Sequence, residues 1–496
     1  MSSLFVLSLL LAEVPLPSAP PTPVVDLEAA FTASRKPVSL QEALKLADEK
    51  SQDLAAARAN AKQVEGKASA TLGAVLPEIT ASGSYVYTTA EQKIDPAVFM
   101  NGFGGIMNDM IDYSFRNAGP VFGFGQLTPD EAELAKFKQG LAAKLASSTS
   151  TMPATIITAH NSFYANLIVT QTLFTPQMVL LPAADQSTFA AKLGAGEARE
   201  QVMLNVARIY LGIEGLNEIA RAAKDAETVA LKREKDARAQ ASVGMTTDIT
   251  LLRAQSETAQ ARATLATVQG QKVALLAMLE ALVGEPIRPV DGEATHVEVT
   301  ARDENDSPWE QTYLVRANKA GIETLETFNK YDRVAWLPTL LAQAKGNYNS
   351  NKALVNTNWT FDVMVGAQWN LFDRGQRLAT QRENDAKTLE GRAKYEAARA
   401  KARATWLGAK TSLVAAQVAL EQAEAQAQLA ERAQKQISSA YEAGAATSLE
   451  VSDIDNKRFF AASQVAQARS QYEVKKVELA AAEGRLGELL GVGAPK

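Results

Sequence analysis

The chain has 496 residues, a formal net charge of −5, no cysteine and only 2 histidines. Without cysteine there is no disulfide, thiolate metal site or cysteine nucleophile, and His160 and His296 are too distant in sequence to suggest a histidine-rich metal site. The mild negative charge argues against a nucleic-acid partner, and the sequence predicts no cofactor and no metal ion.

Residues 1–22 have the features of a secretory signal peptide with a Pro-rich leader. Leu4 to Leu11 form a short apolar core, and small residues follow it. The usual basic start is missing, since no Lys or Arg precedes Arg35, and a disordered Pro-rich tail is the alternative. No later run of about 18 apolar residues predicts a transmembrane helix, so entry into a membrane would require strands.

From residue 23 onward the same series of elements occurs twice: a helix, a Leu-Pro pair, two strands, a helix, a glycine turn and a return helix. The first repeat covers 23–284, an inter-repeat segment covers 285–311, and the second repeat covers 312–496. The predicted strands are about 78–90 and 161–174, then about 339–350 and 358–372. The predicted helices are 38–76, about 183–242, 247–283, about 379–442 and about 448–490.

The strands alternate apolar and polar side chains with period two. One face of the last strand carries Trp359, Phe361, Val363, Val365 and Trp369, and its counterpart in the first repeat carries Phe163, Leu167 and Val169. Such a pattern suits strands with one face in lipid and the other toward a watery lumen, although a half-buried sheet of a soluble domain has the same pattern. Four strands cannot close a membrane barrel, since these start at eight, so three chains would have to share twelve.

The helices are long and rich in alanine. Residues 379–441 contain no proline, and some 60 helical residues would extend roughly 90 Å. Alanine on several faces suits a helix with neighbours on both sides, as in a wall, and a solvated or spectrin-like rod is the alternative. The two return helices differ in length, because Gly244 to Gly284 spans 40 residues and Gly444 to Gly491 spans 47. The difference is one heptad, which predicts that these helices pack side by side.

Four motifs resemble the TolC-type outer-membrane efflux protein family: the opening helix "VSLQEALKLADEKSQDLAAARANAKQVEGKASATLGAVLPEI", the turn "WNLFDRG", the tip "YEAGAATSLEVSDID" and the closing "LGELLG". The resemblance implies a mixed α and β membrane protein, a homotrimer with a 12-stranded transmembrane β-barrel of four strands per chain. This barrel would continue into a long periplasmic α-helical barrel, with 285–311 as an equatorial segment. The implied place is the outer membrane of a Gram-negative cell, in contact with outer-membrane lipid, with a large periplasmic portion.

The family's partners and functional residues follow from the same resemblance. It implies a periplasmic adaptor (membrane fusion) protein and an inner-membrane transporter of the RND, ABC or MFS type. The adaptor would contact the helix tips, which are Val243, Gly244, Met245, Ala443, Gly444 and Ala445. Plain turn chemistry explains the glycines equally well.

Glu450 and Asp453 match the acidic positions that narrow the periplasmic end of the tunnel in the family. They lie three residues apart on one helix face, so three copies would make an acidic ring that favours cations. The alternative is that acidic residues in a first turn complement the helix dipole. Asp455 is nearby on another face, and the tip "AGAATS" lacks the basic residue of the family's latch, which puts such a latch in doubt.

The insert at 90–160 separates the first strand pair, where the second pair has about seven residues. It includes "FMNGFGGIMNDMIDYSF" and a helix start at Thr128-Pro129-Asp130-Glu131. The topology would place it outside the cell, where it could plug, cap or decorate the pore. A plain mobile loop is the simpler interpretation.

The sequence therefore favours a passive outer-membrane exit duct of a tripartite efflux or type I secretion system, for small molecules or proteins. A periplasmic coiled-coil adaptor or structural protein is the alternative, but the helical hairpin occurs twice here and strand pairs flank it. An enzyme is not expected, since "GFGGIM" at 102–107 lacks the context of a dinucleotide fingerprint and no nucleophile has a base nearby.

Overall fold

The computed structural model describes residues 31–73, 75–121, 131–150, 155–243, 247–290, 292, 295–351 and 357–489. The chain divides into two compact units. One, here called the helical unit, consists of the chain up to residue 68, residues 182–328 and the chain from residue 383. The other, here called the sheet unit, consists of residues 69–181 and 329–382. The predicted signal peptide lies outside the described residues.

The elements follow each other in the predicted order. The helices are α1 (Leu40–Lys50), α2 (Gln52–Gly73), α3 (Pro96–Val121), α4 (Glu131–Ser150), α5 (Leu181–Ser242), α6 (Asp248–Val283), α7 (Tyr313–Val334), α8 (Gln376–Glu442), α9 (Ser448–Ala482) and α10 (Leu486–Leu489). The strands are β1 (Lys36–Val38), β2 (Glu78–Tyr87), β3 (Gln92–Ile94), β4 (Thr155–Thr158), β5 (Asn161–Phe174), β6 (Ile287–Pro289), β7 (Thr339–Asn349) and β8 (Trp359–Gln368). Among the described helices, none is long and apolar enough to cross a membrane.

The sheet unit is built on one antiparallel sheet in the order β2-β5-β7-β8. The two predicted strand pairs form, and β5 also pairs with β7, which joins the pairs into four strands. The register aligns Ile79, Val169, Ala344 and Val363 across the sheet. Because side chains two apart share a face, the apolar sides of all four predicted strands therefore lie on the same face.

β8 ends four residues earlier than its predicted end at 372, because the chain turns there. The Trp369 indole donates to the carbonyl of Trp336 at 2.8 Å, a bond outside the strand ladder. Asp373 then accepts from the backbone N–H groups of Gly375 and Arg377 at 3.1 and 2.8 Å. Gly375 has a φ of 79°, a left-handed conformation that glycine adopts without steric cost. The predicted turn at "FDRGQR" is thus present.

The internal repeat is more regular than the sequence predicts. α6 and α9 have 36 and 35 residues, and each is followed by a left-handed glycine, Gly284 with φ 84° and Gly484 with φ 67°. The glycine that matches Gly284 is therefore Gly484 and not Gly491, and it lies 40 residues after Gly444, as Gly284 lies 40 after Gly244. The inferred extra heptad in the second repeat is wrong.

Both of these glycines occupy places where a side chain would collide. A Cβ on Gly284 would lie 2.9 Å from the carbonyl oxygen of Lys50, and one on Gly484 would lie 3.1 Å from that of Gln311. These carbonyls precede α2 and α7, two helices of 22 residues each that open corresponding parts of the repeats. The helix predicted over 38–76 is accordingly two helices, with a break at buried Ser51.

The insert contains regular structure. β3 and β4 form a second, two-stranded sheet, and α3 and α4 lie between them. The interpretation of 90–160 as a plain loop is therefore wrong for its described residues. Of the predicted helix start, Glu131 is the first residue of α4, whereas Thr128, Pro129 and Asp130 lie outside the described residues.

The core of the helical unit lies where α1, α5, α6 and α9 meet, around fully buried Leu44, Tyr210, Leu276 and Val477. A second cluster packs Trp309 against Trp406, with ring centroids 5.4 Å apart. Close packing of large side chains in these clusters fixes the helices against each other.

Three carboxylates, two on the long helices and one directly after α9, hold the inter-repeat segment. Glu214 accepts from the Thr295 hydroxyl at 2.7 Å, and Glu473 accepts from the backbone N–H of Val297 at 2.9 Å. Glu483 accepts from the backbone N–H of Arg302 at 3.0 Å. Burial raises the pKa of Glu214. The inter-repeat segment has little regular structure here, so the carboxylates supply acceptors for backbone N–H groups that would pair within a helix or strand elsewhere.

Candidate functional site

The apolar face of the sheet unit is exposed rather than packed. The exposed fractions of Trp359, Phe361, Val363 and Val365 are 68%, 73%, 69% and 71%. On the same face, exposed Phe163 and Leu167 of β5 belong to the predicted lipid-facing set, and Val169 lies in register with Ile79. A contiguous exposed apolar face of this kind marks a surface that meets lipid or another protein.

Aromatic side chains border this face at both ends. At one end the rings of Tyr348 and Trp359 lie 4.9 Å apart. At the other end Trp336 and Trp369 are exposed, and the Arg377 guanidinium lies 4.1 Å from the ring centroid of Trp336. Ten residues of strand separate the two ends, about 33 Å of chain, which a tilt of about 40° reduces to about 25 Å. That is the height of the apolar band on a membrane barrel.

The opposite face is polar, and its side chains bind each other. Asn347 donates to Asp362 at 3.0 Å and to Thr360 at 3.2 Å, and Gln343 donates to Thr170 at 3.2 Å. These partners come from adjacent strands, so the bonds run across the sheet. A face of this composition suits contact with water.

The sheet has two open edges. In the part of the chain that the structure describes, β2 pairs with β5 alone and β8 with β7 alone. β2 and β8 run in opposite directions, because three successive antiparallel pairings relate them. An open edge cannot remain in lipid, where its N–H and C=O groups find no partner. The edge of β8 can pair antiparallel with β2 of another copy.

The tip between α8 and α9 is a standard helix end. Gly444, with φ 74°, donates to the carbonyl of Tyr441 at 3.0 Å, and Ala445 donates to that of Ala440 at 2.8 Å. These two bonds form the Schellman motif, so turn chemistry accounts for the glycine. At the other tip Val243 is exposed, whereas Gly244 and Met245 lie outside the described residues.

Glu450 and Asp453 are exposed at the start of α9, and each has a local partner. Glu450 accepts from the backbone N–H of Thr447 at 2.7 Å, and its own N–H donates to the Thr447 hydroxyl at 3.3 Å. This is a capping box, and the hydrogen bonds from Thr447 lower the pKa of Glu450. Asp453 pairs with Lys457 at 2.7 Å. The structure therefore supports the helix-start interpretation of Glu450, while the constriction remains a prediction.

Arg233 is a residue that the sequence did not single out. It is paired with Asp455 and lies 3.9 Å from Glu257, so it connects α5 to both α9 and α6 near the tips. Burial lowers its pKa, whereas Glu257 acts in the opposite direction. Arg233 and Asp455 are only 23% and 16% exposed, so solvent screens this contact less than the surrounding surface pairs.

No group of three or more His, Asp or Glu side chains that could hold a metal ion occurs within the described ranges. The exposed apolar face, the open edges and the helix tips are thus the candidate functional features, and each is a contact surface. In their described residues, none of these features encloses a nucleophile and a neighbouring base in a pocket, which is the geometry of a catalytic site.

Residues 315–485 match the model of the family described as "Outer membrane efflux protein". No curated protein matches the chain in sequence. Among solved structures, the CmeC outer membrane channel of Campylobacter jejuni is similar with a TM-score of 0.69 at 14% identity, over 90% of this chain and 86% of that chain. The outer membrane protein VceC of Vibrio cholerae gives 0.67 at 17% identity, over 92% and 98% of the two chains. The Neisseria gonorrhoeae MtrE outer membrane channel gives 0.66 at 14%, over 90% and 89%.

Proposed function

The chain belongs to the outer membrane efflux protein family through residues 315–485, and from that premise we propose that three copies form a passive exit duct across the outer membrane. The observation that carries this is the sheet, which has an exposed apolar face, a polar opposite face and two open edges. Twelve strands from three chains exceed the minimum of eight for a membrane barrel. The apolar face would contact lipid and the polar face the lumen.

The open edges support the proposed trimer. Pairing β8 of each chain antiparallel with β2 of the next satisfies both edges and closes the ring. Membrane fractionation and unboiled gel electrophoresis test this directly. We expect an outer-membrane oligomer of three chains, and a soluble monomer would refute the proposal. It would favour the alternative, a periplasmic coiled-coil adaptor or structural protein.

In the proposed duct the long helices make the periplasmic portion, and the tips meet a periplasmic adaptor. The adaptor would contact Val243, Gly244, Met245, Ala443, Gly444 and Ala445. An inner-membrane transporter of the RND, ABC or MFS type would load the cargo, which can be small molecules or proteins. The duct itself performs no reaction and needs no cofactor. Export specificity then lies with the transporter rather than with this chain.

We predict that the double change Glu450→Gln and Asp453→Asn raises single-channel conductance in planar bilayers by about twofold and weakens cation preference. Three copies would otherwise place six carboxylates around the tunnel end. Gln can take the place of Glu in a capping box, so the double variant removes charge and leaves the helix start in place. Glu431→Gln, which removes one carboxylate from α8 away from the tip, is the matched control.

The same assignment predicts a pH dependence. The pKa of Glu450 is lowered in the folded chain. The charged cap therefore stabilises the helix fully at pH values above the ordinary carboxyl pKa, and this stabilisation is lost as the pH falls through the lowered pKa. The Glu450 carboxylate should therefore keep its charge, and its share of the cation preference, at a pH where an ordinary glutamate becomes protonated. An unchanged conductance and selectivity in the double variant would remove Glu450 and Asp453 from the constriction.

Arg233→Met is predicted to loosen the tips, because Asp455 and Glu257 lose their shared cation. We expect faster hydrogen exchange near both ends of this contact and higher conductance, with a stability loss of about 1–3 kcal/mol. Arg238→Met is the control, since Arg238 is on the same helix and pairs with Glu234 at the exposed surface. Equal behaviour of the two variants would mean that the Arg233 contact does not restrain the tips.

A further inference from the structure

The insert carries an apolar surface that the duct alone does not explain. Between Pro96 and Ser114, α3 has two charged side chains, Asp109 and Asp112, and Asp112 is paired with Lys138 of α4. One side of α3 is half-buried, at Met100, Gly104, Met107 and Ile111, and α3 is in contact with α4. A helix apolar on one side alone would need no other neighbour.

A second apolar stripe runs along α3 on a different side. Phe103, Ile106 and Met110 follow each other at helical spacing and are 47%, 64% and 60% exposed. At 100° per residue the centre of this stripe lies roughly 100° around the helix from the centre of the four half-buried positions. On α4, Phe137 is likewise exposed, at 55%, on the flank of its contact with α3. The hairpin of α3 and α4 therefore has an unpaired apolar stripe on one helix and an exposed aromatic ring on the other.

The position of the insert points to the occupant of the stripe. The insert leaves β2 at Tyr87 and returns to β5 at Asn161, two residues that face each other at one end of the sheet. The chain enters and leaves the sheet through the opposite end, at Glu78, Phe174 and the ends of β7 and β8. β2 is also an open edge, so the copy that pairs with β2 comes next to the base of the insert.

The dimensions are compatible with contact between inserts. Twelve strands spaced about 4.8 Å apart and tilted about 40° make a rim of about 75 Å. Three inserts supply six helices, which at a spacing of 8 to 10 Å occupy about 50–60 Å side by side. Six helices thus form a ring slightly narrower than the rim from which they rise.

We propose that the stripe of Phe103, Ile106 and Met110 packs on α4 of the neighbouring copy, around Phe137, so that three inserts form a closed collar of six helices at the outer mouth. The collar rests on the proposed trimer. In that trimer the neighbour beside the base of each insert is a second copy of this chain, which is the partner that we assign to the stripe. The collar extends the duct beyond the membrane, and it adds contacts between subunits outside the barrel.

The absence of cysteine permits a direct test in the full-length protein. Two single variants, Met110→Cys and Phe137→Cys, are given different tags and expressed together, so a disulfide carrying both tags can only join two copies. We expect about tenfold more of this species than in the control, because disulfides form only between closely placed Cα atoms. The control replaces Phe137→Cys by Gln139→Cys, which lies on the far side of α4.

The outcomes separate the collar from the duct. Trimers on unboiled gels with no more cross-linking than the control would overturn the collar and leave the duct in place. A loss of trimers in the unsubstituted protein would overturn both. The remaining alternative is that lipid covers the stripe, and a fluorophore attached to the single thiol of the Met110→Cys variant tests it. Quenching of this fluorophore by brominated lipid would assign the stripe to the membrane surface and overturn the collar. Protection from both lipid and aqueous quenchers is the expected result.

Discussion

Replacing Val363 by Arg is expected to abolish the proposed trimer. Val363 is 69% exposed at the middle of β8, in register with Ala344 on the apolar face. An arginine at the bilayer midplane on the lipid side of a barrel costs about 2–4 kcal/mol, and three copies would cost about 6–12 kcal/mol per assembly. Membrane fractions should contain little of the variant, and unboiled gels should show no oligomer.

Met364→Arg is the matched control for this prediction. Met364 is the next residue of β8, is 50% exposed and lies on the polar face with Thr360 and Asp362. It makes no side-chain hydrogen bond that the change could remove, so the two variants differ in the face alone. We expect Met364→Arg to assemble and to alter conductance. Equal loss of trimers in both variants would contradict the assignment of the two faces.

Glu483→Ala is expected to cost about 3–5 kcal/mol, because it removes a buried acceptor and leaves its donors in place. Glu483 is fully buried and accepts from the backbone N–H of Arg302, the Trp406 indole at 3.3 Å and Arg485 at 3.3 Å. It thereby connects α8 and the end of α9 to the inter-repeat segment. Thermal unfolding in detergent, followed by circular dichroism, should show a clear drop in Tm.

Glu396→Ala provides the comparison for this change in the same type of residue. Glu396 lies on the exposed surface of α8, 66% exposed and 4.0 Å from Arg399, where solvent screens the pair. Its loss should leave the Tm nearly unchanged. If Glu483→Ala melted at the same temperature as Glu396→Ala, the inter-repeat segment would not depend on this carboxylate.

The strands are predictable because their signal is local. Period-two alternation places Phe361, Val363 and Val365 on one side regardless of the rest of the chain, and the structure has them on one face. The pairing of β5 with β7 joins residues about 180 positions apart, such as Leu167 and Gly346, and no local pattern specifies it. The strand faces thus follow from sequence alone, whereas the order of the strands requires tertiary structure.

The insert and the return helix show where local patterns mislead. Gly102, Gly104 and Gly105 lower intrinsic helix propensity, which favours a loop in the insert. Packing of α3 against α4, together with the ion pair of Asp112 with Lys138, outweighs that preference. The extra heptad depends on matching Leu-Leu-Gly at 489–491 to Leu-Val-Gly at 282–284. The left-handed conformation of Gly484 identifies the true equivalent of Gly284, and a conformation cannot be read from residue type alone.

The helix tips are partly readable from sequence. Thr447 and Glu450 have the spacing of a capping box, which can be read from the sequence. This motif accounts for a glutamate at position 450 without any role in a tunnel constriction. Asp453 and Lys457 stand four apart, as a surface ion pair does on any helix. Arg233 and Asp455 are 222 residues apart by their numbers, so only the fold brings them together.

The polar face of the sheet has a consequence for the speed of export. Asn347 is bonded to Asp362 and Thr360, and Gln343 is bonded to Thr170, so these groups already have partners within the wall. A passing solute that takes the place of one of these partners gains little, because one hydrogen bond then replaces another. Molecules of very different chemistry would therefore experience the same low friction and dwell only briefly at this wall.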